Sequence, residues 1–144
     1  MVKSRSKYKY IRCNPYKRGV AIFIGDCESL KKWARRFYSE TENSDLIDML
    51  NKYCTDERYN ATSVCASTYY SEVTGHHLIH IPSFSFKYNI DEISNLSHEI
   101  LHAAMGILDF VGVEYVRKGD NEAFTYLFEY ILKEALIEKD YKKV

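Results

Sequence analysis

The residues most able to do chemistry in this chain are the five of the sequence HEILH, at positions 98–102. On an α-helix His98 and His102 lie one turn apart, separated by about 40° around the axis and about 6 Å along it. Both imidazoles can therefore reach one metal ion from the same side. Glu99 is rotated by about 100° from His98, which leaves its carboxylate beside a water on that ion. We predict a zinc site in which Glu99 activates the zinc-bound water, because catalytic zinc keeps one position open for water.

The helix that carries this motif is predicted to run from about Ile90 to about Phe110. Asn89 and Glu92 have the spacing of a capping box at its start. Its apolar residues form one broad arc, made of Ile93, Leu96, Ile100, Ala103, Ala104, Ile107 and Phe110. The two histidines lie on the opposite side, with Asp91, Asn95 and Asp109. They therefore face either a cleft or bulk solvent, and their position alone does not decide between a ligand pair and surface histidines.

A third zinc ligand is predicted at Glu122, twenty residues after His102 and at the start of the last predicted helix. Asp120 is expected to cap this helix, which continues to about residue 138. The helix is apolar nearly all round, a pattern typical of a helix packed on more than one side. Its polar residues form a single line, made of Glu122, Tyr126, Glu129 and Lys133. Glu122 could instead only interact with the helix dipole; we favour the ligand.

HEILH followed by Asn121-Glu122 resembles the thermolysin-like gluzincins, zinc metallopeptidases in which a second helix supplies a glutamate ligand. The match covers about residues 76–138, and the chain is closer in size to the short HExxH proteins of phages and bacteria. The resemblance implies a minimal zincin-like domain that hydrolyses peptide bonds. Zinc would polarise the scissile carbonyl, and Glu99 would pass the proton of the water to the leaving amine.

The chain departs from the gluzincin pattern one turn after Glu122. The family has an aspartate there that orients a histidine, whereas this chain has Tyr126, so Thr125 or Glu129 would have to substitute. The metzincin pattern is a weaker match. Its glycine and its third ligand fall one residue out of register with Gly106 and Asp109, and we rank Asp109 behind Glu122 as the third ligand.

Hydrolysis also requires a donor to the tetrahedral oxyanion. The candidates are Tyr115, Tyr126, His76 and His80, and the sequence does not rank them. His76 and His80 could instead form a second metal pair, but we favour an exposed strand face for them. The strand HHLIHIP, residues 76–82, could pair with an extended peptide substrate if it is a sheet edge.

The remaining segments predict an α+β fold with a small mixed or antiparallel sheet packed on the HExxH helix and the C-terminal helix. A buried strand is expected at residues 20–24, and helices at about 28–39 and after Ser44. Residues 61–70 and 76–82 are predicted to form two antiparallel strands joined through Thr74 and Gly75. Alternation in the second strand places His76, Leu78 and His80 on one face and His77, Ile79 and Ile81 on the other.

Composition limits the alternatives. Twenty basic and twenty acidic residues cancel, and no apolar run has the length of a membrane helix. Residues 1–18 are basic throughout and are predicted to be a flexible segment before a single domain at 19–144. The N-terminus has no apolar signal region and the four cysteines have no CxxC spacing, so we expect reduced thiols in the cytoplasm, or in the host cytoplasm if the gene belongs to a phage.

Two other function classes stay open. The first is a catalytically inactive interaction module that keeps zinc for structure; structural zinc sites usually have four protein ligands, whereas three are predicted here. The second is a nucleic-acid-binding accessory protein that uses the basic N-terminus, which the neutral charge balance elsewhere disfavours. A peptide or protein is the expected substrate, and neither its identity nor the oligomeric state follows from the sequence.

Overall fold

The sheet is the centre of the fold. The computed structural model describes residues 5–55, 66–116, 119 and 121–144. Its strands are β1 (Lys7–Cys13), β2 (Arg18–Ile24), β3 (Ser67–Tyr70), β4 (His77–Ile81) and β5 (Lys142–Lys143). They lie in the order β3-β4-β2-β1-β5, with β2 and β4 parallel and the other neighbours antiparallel. With helices on both faces, this is the predicted α+β class.

The helices cover the two faces of the sheet in pairs. They are α1 (Cys27–Tyr38), α2 (Asp45–Tyr53), α3 (Ile90–Phe110) and α4 (Glu122–Ala135), and a 3-10 turn follows at Glu138–Asp140. Strand β2 shows why both faces are covered. Ala21 and Phe23 pack with α1 and α2, whereas Val20 and Ile22 pack with α3 and α4. A strand buried on both faces reads as a continuous apolar run, as this one does.

The predicted flexibility of residues 1–18 is wrong for Lys7–Cys13, which form β1 between β2 and β5. The basic composition of this segment does not indicate a strand, because its lysines are paired with acidic residues of the C-terminal segment. Lys9 is buried, and its Nζ atom donates to the backbone oxygen of Glu134 at 2.6 Å. It also lies 3.2 Å from the Glu134 carboxylate and 3.6 Å from that of Asp140. This charge is therefore neutralised inside the fold and is not presented to a nucleic acid.

Helix α3 has the predicted bounds. The Asn89 side chain accepts hydrogen bonds from the N–H groups of Asp91 and Glu92 and so caps the first turn. Helix α4 corrects a prediction: it is buried on one side only, through Leu127, Ile131 and Ala135. The line of Glu122, Tyr126, Glu129 and Lys133 is exposed. The apolar residues between these two sides are partly buried against the core.

The hairpin of β3 and β4 confirms the predicted antiparallel pair and its alternation, although residues 61–65 lie outside the described part of the chain. The turn depends on Gly75, whose φ of +73° is rarely adopted by other residues. The prediction that HHLIHIP could be a sheet edge is wrong. Strand β4 pairs with β3 on one side and with β2 on the other, so β3 is the outermost strand on this side of the described sheet.

Among the described residues, no helix combines the length and the hydropathy that crossing a bilayer requires.

Candidate functional site

His98 and His102 converge on the exposed side of α3. Their Nε2 atoms lie 3.1 Å apart, and the two rings are nearly perpendicular with centroids 4.8 Å apart. A tetrahedral zinc ion with Zn–N bonds of 2.0–2.1 Å would hold two nitrogens about 3.3 Å apart. The donor atoms and their separation therefore fit one zinc ion with little rearrangement.

Glu99 is held beside this pair by the neighbouring strand. Its side chain is buried in the interface between α3 and β3. The hydroxyl of Thr68 on β3 donates to the Oε2 atom of Glu99, and it also lies within hydrogen-bond distance of the backbone oxygen of Glu99, at 3.3 Å. Glu99 thus differs from the two histidines in being out of solvent and anchored by a specific donor. That is the arrangement expected of a base with a fixed orientation.

A cavity of about 460 Å³ joins these groups. One wall is α3, through His98, Glu99, His102 and Gly106, and the other is formed by residues 66–70 at β3. Successive residues of a strand point to opposite faces of the sheet. Since five consecutive residues line the cavity, the edge of the strand borders the cavity. The unpaired backbone groups of an outermost strand are those that an extended peptide can use.

His77 also lines this cavity, although no spacing in the sequence indicates it. Its ring stacks on Tyr70, with centroids 5.8 Å apart, and its Nδ1–H donates to the backbone oxygen of Gly75 at 2.9 Å. Burial lowers the pKa of His77, against a smaller opposite effect of that hydrogen bond. The neutral ring then carries its lone pair on Nε2, which packs on Gly106. A Cβ at position 106 would overlap this atom, so the glycine has a packing role.

His76 and His80 lie on the opposite side of the sheet, against α1 and α2, and neither faces an exposed surface as predicted. The Nε2 atom of His76 is 2.8 Å from the hydroxyl of Tyr38, and that of His80 is 2.6 Å from the backbone oxygen of Gly25. Burial lowers the pKa of each to about 4. Neither is placed to donate to an oxyanion beside His98.

Glu122 is the first residue of α4 and is exposed. Among the described residues, one group of three His, Cys, Asp or Glu side chains has all its ligand atoms within 4.8 Å of one another, and it consists of Cys27, Cys54 and His80. Glu122 and Asp109 therefore do not join the two histidines at that spacing. The third ligand stays a prediction.

The residues before α4 are organised by Asn121. Its side chain accepts from the N–H of Val116 and donates to the backbone oxygen of Val116, both at 2.9 Å. This paired bond fixes the position from which α4 starts, immediately before Glu122.

A second, larger cavity of about 1000 Å³ lies between α3 and α4 and reaches His98. Its lining is mostly apolar, from Ile93, Leu101, Met105, Phe124 and Phe128. Two of the predicted supporting residues, Tyr115 and Thr125, also line it. The Thr125 hydroxyl donates to the backbone oxygen of Glu122 at 3.0 Å, so it supports the helix start and does not orient a histidine. Tyr126 and Glu129 are exposed on the outer side of α4.

Comparison with known proteins adds no family to this picture: no family model, no curated protein and no solved structure matches the chain.

Proposed function

We propose that this chain is a zinc-dependent hydrolase of peptide bonds, with His98 and His102 as zinc ligands and Glu99 as the general base. The observation that supports this function is that three features lie together in one cavity. Two Nε2 atoms lie 3.1 Å apart, a buried carboxylate lies on the same helix, and the edge of β3 borders both. Zinc bound there would polarise the scissile carbonyl and lower the pKa of water.

Each residue has a separate task in this proposal. The edge of β3 binds the peptide in an extended conformation by main-chain hydrogen bonds. Glu99, oriented by Thr68, accepts a proton from the attacking water and then transfers it to the leaving amine. Glu122 is proposed as the third ligand, which requires that metal binding bring the first turn of α4 toward α3.

The proposal places the reaction in the cytoplasm. None of the described cysteines, which are Cys13, Cys27 and Cys54, forms a disulfide, and thiols of this kind are typical of reducing compartments. The expected partner is a peptide or protein substrate. The larger cavity between α3 and α4 has room for an apolar substrate side chain beside His98.

Metal content and peptidase activity, measured on the same preparations, test the proposal. Elemental analysis of protein purified without chelator should find zinc that is lost in His102→Ala. Zinc should also be lost in Glu122→Ala and kept in Glu129→Ala, a matched exposed glutamate two turns further along α4. Unchanged zinc in His102→Ala would refute the site. Zinc that depends on His102 but supports no cleavage of a denatured protein substrate would indicate the non-catalytic module.

A further inference from the structure

A second group of metal-binding side chains lies on the opposite face of the sheet from His98. Cys27 is the first residue of α1, Cys54 follows α2, and His80 is on β4. All three are buried, with at most 5% of each residue exposed. The Sγ atoms of Cys27 and Cys54 are 2.7 Å apart, and the Sγ of Cys54 is 3.9 Å from the Nδ1 atom of His80. Three elements distant in sequence thus bring two thiols and an imidazole together.

The orientation of His80 distinguishes this group from an ordinary core contact. Its Nε2 atom lies 2.6 Å from the backbone oxygen of Gly25, which can only accept a hydrogen bond. In the neutral ring Nε2 therefore carries the proton, and Nδ1 presents its lone pair to the thiols. A carbonyl that accepts from one ring nitrogen while the other binds a metal is the usual support of a histidine ligand.

The position of Cys27 is fixed by the start of α1. It is the first residue of this helix and is buried. Asp26 caps the same turn, with its Oδ1 accepting from the N–H of Ser29 at 2.7 Å. The cap fixes the backbone that carries Cys27, so the start of α1 holds the thiol next to Cys54 and His80.

We propose that Cys27, Cys54 and His80 are three protein ligands of a thiophilic metal ion, with Zn²⁺ as the first candidate, at a site separate from the His98–His102 pair. Two thiolates and one imidazole are a donor set that zinc accepts. Binding releases two protons, one from each thiol, and the neutral imidazole adds its lone pair without losing one. Tetrahedral zinc would hold the two sulfurs about 3.8 Å apart, so binding separates them by about 1 Å from their present contact. The bound ion ties α1, α2 and β4 together.

Cobalt(II) titration of the metal-depleted protein under reducing conditions tests this site. Thiolate ligands give Co²⁺ an intense charge-transfer absorption in the near ultraviolet, whereas histidine and carboxylate ligands do not. We expect this band in the wild type, its loss in Cys54→Ser, and its displacement by added Zn²⁺. It should persist in His102→Ala, which separates this site from the proposed catalytic one, and in Cys13→Ser, a matched buried cysteine in the other core.

A second measurement keeps the proposal testable if Cys54→Ser fails to fold. Zinc added to the reduced wild-type protein should slow alkylation of Cys27 and Cys54 by about tenfold or more and leave the rate at Cys13 unchanged, as located by mass spectrometry. Absence of the charge-transfer band at saturating Co²⁺, or equal alkylation rates with and without zinc, would overturn the proposal. So would isolation of Cys27 and Cys54 as a disulfide from reduced cells, since that would make them a redox pair.

Discussion

The hydroxyl of Thr68 on β3 donates a hydrogen bond to the carboxylate of Glu99 on α3. This contact joins the outermost described strand to the helix that carries the two histidines, so it links a candidate peptide-binding edge to a candidate base. The hydroxyl fixes the orientation of a carboxylate that is otherwise removed from water.

Replacement of Thr68 by valine keeps the shape of the side chain and removes this donor. The Glu99 carboxylate then loses the donor that holds its orientation, so peptide cleavage should fall by about tenfold or more while the zinc content stays unchanged. Thr68→Ser keeps the hydroxyl and should retain the wild-type activity. Equal activity of the valine and serine variants would show that Thr68 does not position the base.

Glu99→Gln should retain zinc and the fold while activity falls by about 10²–10⁴-fold, the usual contribution of general acid–base catalysis. Glutamine has the size of glutamate but cannot accept a proton from water at neutral pH. Zinc content and peptide cleavage are to be measured on the same sample. Activity within about threefold of the wild type would exclude the base role of Glu99.

Zinc should raise the melting temperature of the protein at pH 7.5, because it binds the folded site and not the unfolded chain. Protons compete with metal for imidazole nitrogens, whose ordinary pKa is about 6.5, so the increase should shrink between pH 6 and pH 5. Cys54→Ser and His102→Ala should each remove only part of the increase if both proposed sites bind zinc. A melting temperature that zinc does not change at any pH would contradict both sites.

The buried His76 should make the protein less stable in acid. Its pKa is about 4 in the folded protein and the ordinary value is 6.5, so the unfolded chain binds more protons between these values. Its contribution is fully present above pH 6.5 and is lost as the pH falls through 4, by about 3 kcal/mol. His76→Gln should flatten the pH dependence of the unfolding free energy. Tyr38→Phe removes only the hydrogen-bond partner, so it should lower stability but keep the slope.

Gly106→Ala should destabilise the protein by about 1–3 kcal/mol, because the new Cβ would overlap the Nε2 atom of His77. The substitution itself suits a helix interior, where alanine is favoured over glycine. In a His77→Ala background the same change should therefore be neutral or stabilising. Denaturant unfolding of the four proteins gives the coupling energy, and simple additivity of the two changes would rule out the packing role of Gly106.

The structural features that could be predicted best from the sequence are those with local signals in it. The bounds of α3, the two faces of β4 and the pairing of β3 with β4 follow from apolar periodicity and from cap and turn residues, which are local signals. The sequence did not predict β1, because the charge of Lys9 is neutralised by Glu134 and Asp140, which lie more than a hundred residues away.

The candidate site divides in the same way. His98, Glu99 and His102 share one helix turn, so their relation could be derived from helix geometry alone. Thr68 and His77 reach the cavity from two other strands, and no short spacing indicates them. The cysteines were also missed as a group, since their spacings of tens of residues resemble no compact motif. Gly106 is the one local signal, because a glycine inside a helix indicates close packing, but the sequence does not show that the neighbour is the His77 ring.

Strand β4 carries His77 toward the His98 cavity and His80 toward the two thiols, and a strand reverses its side chains at every residue. Deleting or inserting one residue between His77 and His80 would therefore put both imidazoles on the same face, so one of them would leave its layer. Such a change would also turn the apolar residues on one side of it against the opposite core. The tolerance of this short strand to length mutations should be far lower than its tolerance to substitution, and a scan of single-residue deletions across the hairpin should find the largest loss of stability in β4.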